Sequence, residues 1–148
     1  MPQHSEYRIV PYPADLMYAI VADVEQYPQF LPWVVGLRVL SRERVKECEV
    51  LSSEMLVGFG ALRERYTSRS ILGAHTIDVT QIDGVFRQLE THWRFTPEGE
   101  SCRVDFSIAF EFKSRLLNAV AGRAFEHVLL QMTDAFEARA RTLLKKTA

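Results

Sequence analysis

From Ser114 to Lys146 the chain contains no proline and a single glycine, Gly122, so nothing in that stretch halts a helix. Apolar residues recur at Leu117, Val120, Ala121, Phe125, Val128, Met132, Ala135, Phe136 and Leu143, the helical spacing of one broad buried stripe. Arg115, Arg123, Glu126, Glu137, Arg141 and Lys145 fall largely off it. An uninterrupted helix of this length spans on the order of 45 Å at about 1.5 Å per residue. Nearly everything before it reads as strand. The spacing therefore predicts an α+β fold in which a curved sheet closes around one long helix. The functional question is what occupies the space between them.

The strands are read from alternation. Ser5 to Val10 places Tyr7 and Ile9 on one face. Pro13 then opens a short helix, where its missing N–H costs nothing, with Leu16, Ile20 and Val24 as the buried stripe and Pro28 as its end. Tyr27 to Val35 is aromatic, punctuated by prolines and uncharged, and fits no regular element. Gly36–Val45, Glu47–Val57, Leu62–Leu72, His75–Ile82, Val85–Thr96 and Arg103–Phe112 follow as strands. Gly58-Phe59-Gly60, Asp83-Gly84 and Pro97-Glu98-Gly99 supply turns between them. The last strand alternates most cleanly, with Val104, Phe106, Ile108, Phe110 and Phe112 facing inward.

Composition narrows the class. At 148 residues the chain is most simply one domain with a real core. A formal net charge of -1 gives no general attraction to DNA or to an anionic membrane. The two cysteines, Cys48 and Cys102, lie far apart without metal-ligand spacing and read as free thiols in a reducing compartment. The first residues lack a basic and an apolar signal region, and no apolar run approaches the roughly 18 residues that a membrane span needs, so a cytoplasmic protein, or one facing the cytosol from a membrane surface, is expected.

The inward face of the Leu62 strand includes Glu64, Ser68 and Ser70, with Thr91 on the inward face nearby. So many polar groups are awkward in a dry core and suit a cavity that needs a few orienting contacts. A strand solvated on both faces is the alternative. His4, His75, His92 and His127 lack metal spacing, and no phosphate loop or nucleophile elbow appears, so no metal, nucleotide or covalent catalysis is expected.

Several separated phrases carry a family resemblance: Tyr27-Pro28-Gln29-Phe30-Leu31-Pro32-Trp33, Val57-Gly58-Phe59 with Leu62, Glu64, Tyr66, Thr67, Ser68 and Arg69, Trp93-Arg94-Phe95, Val104-Asp105-Phe106 with Phe110 and Phe112, and Ala135 to Ala140. Together they resemble the coenzyme-Q-binding members of the START-like, or polyketide-cyclase-like, superfamily, a family that also includes the bacterial ribosome-association toxin. Val34 departs from the family phrase, where many relatives have cysteine. The resemblance implies a helix-grip fold, a seven-stranded antiparallel sheet around the C-terminal helix enclosing an apolar tunnel. It further implies non-enzymatic binding of a polyprenyl quinone such as ubiquinone, in support of respiratory electron transport, with transient contact at the inner membrane. The alternatives are a ribosome-binding toxin that blocks subunit association and a polyketide cyclase or aromatase.

On that reading the ligand-lining candidates are Tyr27, Phe30, Leu31, Trp33, Met55, Val57, Phe59, Tyr66, Trp93, Phe95, Phe106 and Phe110, with Leu117, Val120, Ala121 and Phe125 from the helix. Glu64 and Tyr66 are the candidates for the polar head, although Glu64 is also placed to pair with a neighbouring arginine. Arg63, Arg65 and Arg69 share the opposite face of their strand, where they meet ribosomal RNA, lipid headgroups or simply solvent and carboxylates.

Overall fold

The strands expected from alternation pair into one antiparallel sheet in the computed structural model, which describes residues 3–59 and 62–147. They are β1 (Gln3–Val10), β2 (Val34–Val45), β3 (Cys48–Phe59), β4 (Leu62–Leu72), β5 (Thr76–Gly84), β6 (Phe86–Glu98) and β7 (Ser101–Phe112). The sheet has seven strands in the order β1-β7-β6-β5-β4-β3-β2, so β2 to β7 form consecutive hairpins and β1 returns to pair with β7. Among the described residues four α-helices, α1 (Ala14–Ala22), α2 (Tyr27–Phe30), α3 (Arg115–Leu130) and α4 (Met132–Thr147), and a 3-10 turn at Val24–Gln26 complete the fold. This is the helix-grip arrangement that the resemblance implies. The turn proposed at Gly58-Phe59-Gly60 runs into residues outside the described part.

β7 shows why the sheet grips the helices. Every second residue from Cys102 to Phe112 is buried, which lines one face with Val104, Phe106, Ile108, Phe110 and Phe112. β6 answers with buried Leu89, Trp93 and Phe95. Phe136 and Ala140 of α4 are buried beneath the same face. The Phe136 ring packs edge-on to Trp93, Tyr27 and Phe30 at 5.3, 5.4 and 5.4 Å, joining sheet, α4 and α2 at one point.

Three expectations are corrected. The C-terminal stretch is not one helix: it breaks at Gln131, whose backbone N–H bonds to Val128 O rather than one residue further back. Neither proline nor glycine marks the break. Instead, α4 is anchored separately, because Thr133 is buried and donates to Glu6 of β1 at 2.8 Å. The Tyr27–Val35 segment is partly regular, since Tyr27–Phe30 makes one helical turn with Pro28 tolerated near its start, and Val34 begins β2. In α1 the buried face runs through Ala14, Met17, Ile20 and Val21, while Leu16 turns partly aside toward Phe30 and Leu143.

Tyr7 and Ile9 do share a face of β1, and it is the outer one: they are 61% and 54% exposed. The inner face of this edge strand carries His4, Glu6 and Arg8. Glu6 and Arg8 engage α4 through Thr133, Asp134 and Glu137, with Arg8 Nη1 2.7 Å from Asp134 and 3.3 Å from Glu137, while His4 bonds to Glu6 at 3.2 Å. Charge thus replaces apolar packing where the sheet edge meets the helix.

Candidate functional site

Between the concave sheet face and the helices lies a cavity of about 100 Å³. Its floor is built from alternate residues of adjacent strands: Ser53, Met55 and Val57 of β3, then Tyr66, Ser68 and Ser70 of β4. Ile77 and Val79 of β5, Leu89, Thr91 and Trp93 of β6 and Ile108 of β7 continue it. Cross-strand register explains the order, since Ser53 pairs with Ser68, Ser70 with Val79, and Val79 with Thr91. Val21 and Val24, Tyr27, Leu31, Trp33 and Val34 close one side. Val128, Met132 and Phe136 form the roof, so the break at Gln131 lies directly over the cavity.

Among the described residues the wall carries no charged side chain. Its polar groups are hydroxyls and the indoles of Trp33 and Trp93. The Tyr27 hydroxyl donates to Val21 O, and burial, with smaller contributions from Tyr66 and Asp23, raises the phenol far above its ordinary range. Tyr66 donates to the sulfur of Met55 at 3.2 Å, a weak acceptor, and burial pushes its phenol up to about 12. Both tyrosines are neutral donors at physiological pH. Gly84 sets the Tyr66 position closely: it holds φ +142°, and a Cβ there would meet Tyr66 Cβ at 2.5 Å.

Of the candidates named from sequence, Tyr27, Leu31, Trp33, Met55, Val57, Tyr66 and Trp93 line this cavity. Phe30, Phe95, Phe106, Phe110 and Leu117 stand outside its wall. Phe95 packs against Tyr18 at 5.9 Å, and Phe106 against Trp93 at 4.4 Å. Phe110 joins Phe112 at 6.1 Å, while Phe30 lies under the Arg139 guanidinium at 5.1 Å. Leu117 packs on the rim of the core. The side chains of Phe59, Val120, Ala121 and Phe125 lie outside the described residues. Glu64 is half-buried opposite Val57 and is not part of the wall, which leaves Tyr66 alone of the two head-group candidates there.

Sequence reasoning passed over Val21, Val24, Val34, Ser53, Leu72, Ile77, Val79, Leu89, Ile108, Val128, Met132 and Phe136 as lining residues. Ser53 was detectable, because alternation along β3 puts it on the same face as Leu51, Met55 and Val57. The aliphatic residues give no such signal. On the outer face, Arg63, Arg65 and Arg69 are exposed, and Glu54 lies 3.8 Å from Arg65 and 3.6 Å from Arg38. Among the described residues no group of three metal-ligating side chains forms, and no helix is long and apolar enough to cross a membrane.

Comparison with known proteins agrees with this geometry. A sequence profile described as polyketide cyclase / dehydrase and lipid transport matches residues 10–137. The chain belongs to that family. Within it, the chain is 36% identical over 143 residues to the ribosome association toxin RatA of Escherichia coli, covering 95% of this chain and 88% of the relative. It is 38% identical over 144 residues to the mitochondrial coenzyme Q-binding protein COQ10 homolog B of Xenopus laevis, covering 93% of this chain and 57% of that protein. The solution structure of an 18 kDa protein from Caulobacter crescentus superposes with a TM-score of 0.78 at 36% identity, over 98% of this chain and 99% of that one. The Zhui aromatase/cyclase of Streptomyces shares the fold at a TM-score of 0.76 and 18% identity, over 95% of this chain and 93% of that one.

Proposed function

We propose that this member of the family binds a neutral polyprenyl lipid of the ubiquinone type in the concave cavity and carries it without chemical change. The observation that carries the reading is an interior wall of apolar side chains and hydroxyls with no charge among the described residues. An isoprenoid tail gains roughly 25 cal/mol for each Å² withdrawn from water. An ionised head would instead bury an uncompensated charge, which argues against fatty acids and phospholipids. The acid/base pair that cyclase chemistry needs is not among the described lining residues, where neither Glu64 nor a histidine is part of the wall. The 38% identity to a coenzyme Q-binding protein supports the same choice.

The cavity of about 100 Å³ is smaller than a quinone with its isoprenoid tail, so this reading requires the site to widen on binding. An engineered apolar cavity of roughly 150 Å³ binds ligands as small as benzene or xenon, which sets the scale of the widening that a quinone needs. Met55 and Met132 are adaptable lining residues, and the roof is divided at Gln131. Loading from a membrane surface follows from the insolubility of such a lipid, with transient contact at the inner membrane and a cytoplasmic location between contacts.

The test is mass spectrometry of a solvent extract of protein purified from a quinone-producing bacterium. A near-stoichiometric polyprenyl quinone is expected. It should be lost in Val79→Trp, which fills the middle of the floor, while circular dichroism shows that the variant is folded. Protein that carries no quinone and refuses added quinone would overturn the reading.

A second reading, association with the ribosome, is favoured by the exposed Arg65 and Arg69 face together with the identity to RatA. Co-sedimentation with ribosomal subunits tests it. This reading uses the other side of the sheet and is compatible with a lipid inside.

A further inference from the structure

The hydroxyls of the cavity form a pattern rather than a scatter. Ser53, Ser68, Ser70 and Thr91 are 2%, 4%, 3% and 9% exposed, and all line the cavity. Ser68 and Ser70 follow Tyr66 at alternate positions of β4, so three hydroxyl side chains stand in line on its inner face. Ser53 faces Ser68 across the β3–β4 pair with Oγ atoms 3.5 Å apart, beyond the usual range for a bond between hydroxyls. Each hydroxyl can both donate and accept, and burial without a good partner is unfavourable. Alanine would serve a purely structural wall at less cost.

We propose that Ser53, Ser68, Ser70 and Thr91 form the head-group subsite of the cavity, selecting a neutral ring that bears carbonyl or hydroxyl oxygens. The inference rests on the lipid-binding reading and adds where the head lies and which heads are accepted. It moves the polar contacts away from Glu64 and deeper along β4 than Tyr66.

Register gives the subsite its width. Ser70 pairs with Val79 and Val79 with Thr91, so two strand spacings, about 10 Å, separate the two hydroxyl-bearing residues. A six-membered ring lying over Val79, with an oxygen at each of two opposite edges, reaches Ser70 on one side and Thr91 on the other. Ser53 and Ser68 sit one step along the strands, where they meet substituent oxygens on the same ring. Every contact is uncharged. Carboxylate and phosphate heads are therefore discriminated against, and a bare hydrocarbon leaves the hydroxyls unsatisfied.

The experiment is displacement of Nile red by decylubiquinone, decylbenzene and hexadecanoate, which share an apolar chain and differ in the head. The wild-type chain is expected to prefer decylubiquinone to decylbenzene by about tenfold or more, with hexadecanoate weakest. In Ser68→Ala/Ser70→Ala that preference falls about tenfold through weaker quinone binding, with decylbenzene unchanged. Removing under-bonded hydroxyls should leave the melting temperature unchanged or raised, and Thr91→Val, which keeps the side-chain shape, tests the opposite edge. A quinone preference retained in both variants, or hexadecanoate binding better than quinone, would overturn the subsite. Failure of all three probes to displace the dye from wild type would overturn the lipid reading itself.

Discussion

Glu6 shows how one side chain ties the sheet edge to the helix that roofs the site. Burial alone would raise its carboxyl, but hydrogen bonds from Thr133, His4 and Arg8, with the charge of Arg8, hold it below its ordinary value of 4.5. A carboxylate held low stabilises the folded state in full above its unfolded pKa, and that contribution is lost as pH falls through the folded value. Wild-type protein should therefore lose stability below about pH 4.5 more steeply than Glu6→Gln. At neutral pH the variant should be less stable by about 1.5–3 kcal/mol, the usual worth of a hydrogen bond to a charged group. Urea titrations across pH measure both, and parallel curves for the two proteins would remove Glu6 from the account. At this scale the sequence was readable in part. Ser68, Ser70 and Thr91 could be placed inward because alternation fixes which way a strand residue points. Whether Trp93 or Phe106 faces a cavity could not be read, since both are large, inward and aromatic. The choice depends on curvature and on where Phe136 fills the interior.

The elements differ in how strongly their boundaries are written into the chain. β7 is unmistakable because its apolar face is unbroken, and β6 nearly so. The division of the C-terminal helix at Gln131 was not legible, because its cause is distant in sequence: Thr133 and Asp134 are held by Glu6 and Arg8 of β1. α4 is thereby fixed to the sheet, while Val128 and Met132, on either side of the break, both touch the cavity. A bound lipid should therefore be felt most strongly at this junction. Hydrogen exchange followed by mass spectrometry is expected to show greater slowing over residues 128–132 than over residues 138–142 when decylubiquinone is added. Equal slowing along α4, or slowing confined to the sheet, would mean that the roof does not respond at its break.

At the scale of the whole molecule, the curved sheet separates two chemistries by the thickness of one strand layer. The part of its concave face that floors the cavity is apolar with hydroxyls, and its convex face over β4 presents Arg63, Arg65 and Arg69. Because successive residues of a strand point to opposite sides, Tyr66 and Ser68 belong to the cavity while Arg65 and Arg69 belong to the outer surface. Substitutions on one face should leave the other intact. Arg65→Glu/Arg69→Glu is expected to keep decylubiquinone affinity within about twofold of wild type, since the quinone is uncharged and the two side chains are solvated on the opposite face of the sheet. The same variant should abolish any co-sedimentation with ribosomal subunits, and wild-type co-sedimentation should weaken as salt rises, because contacts with phosphate are bound up with counterion release. Loss of quinone binding in a folded Arg65→Glu/Arg69→Glu protein would show that the two faces act as one site. Retained quinone binding with lost ribosome association would make them separate functions carried by alternate residues of the same strand.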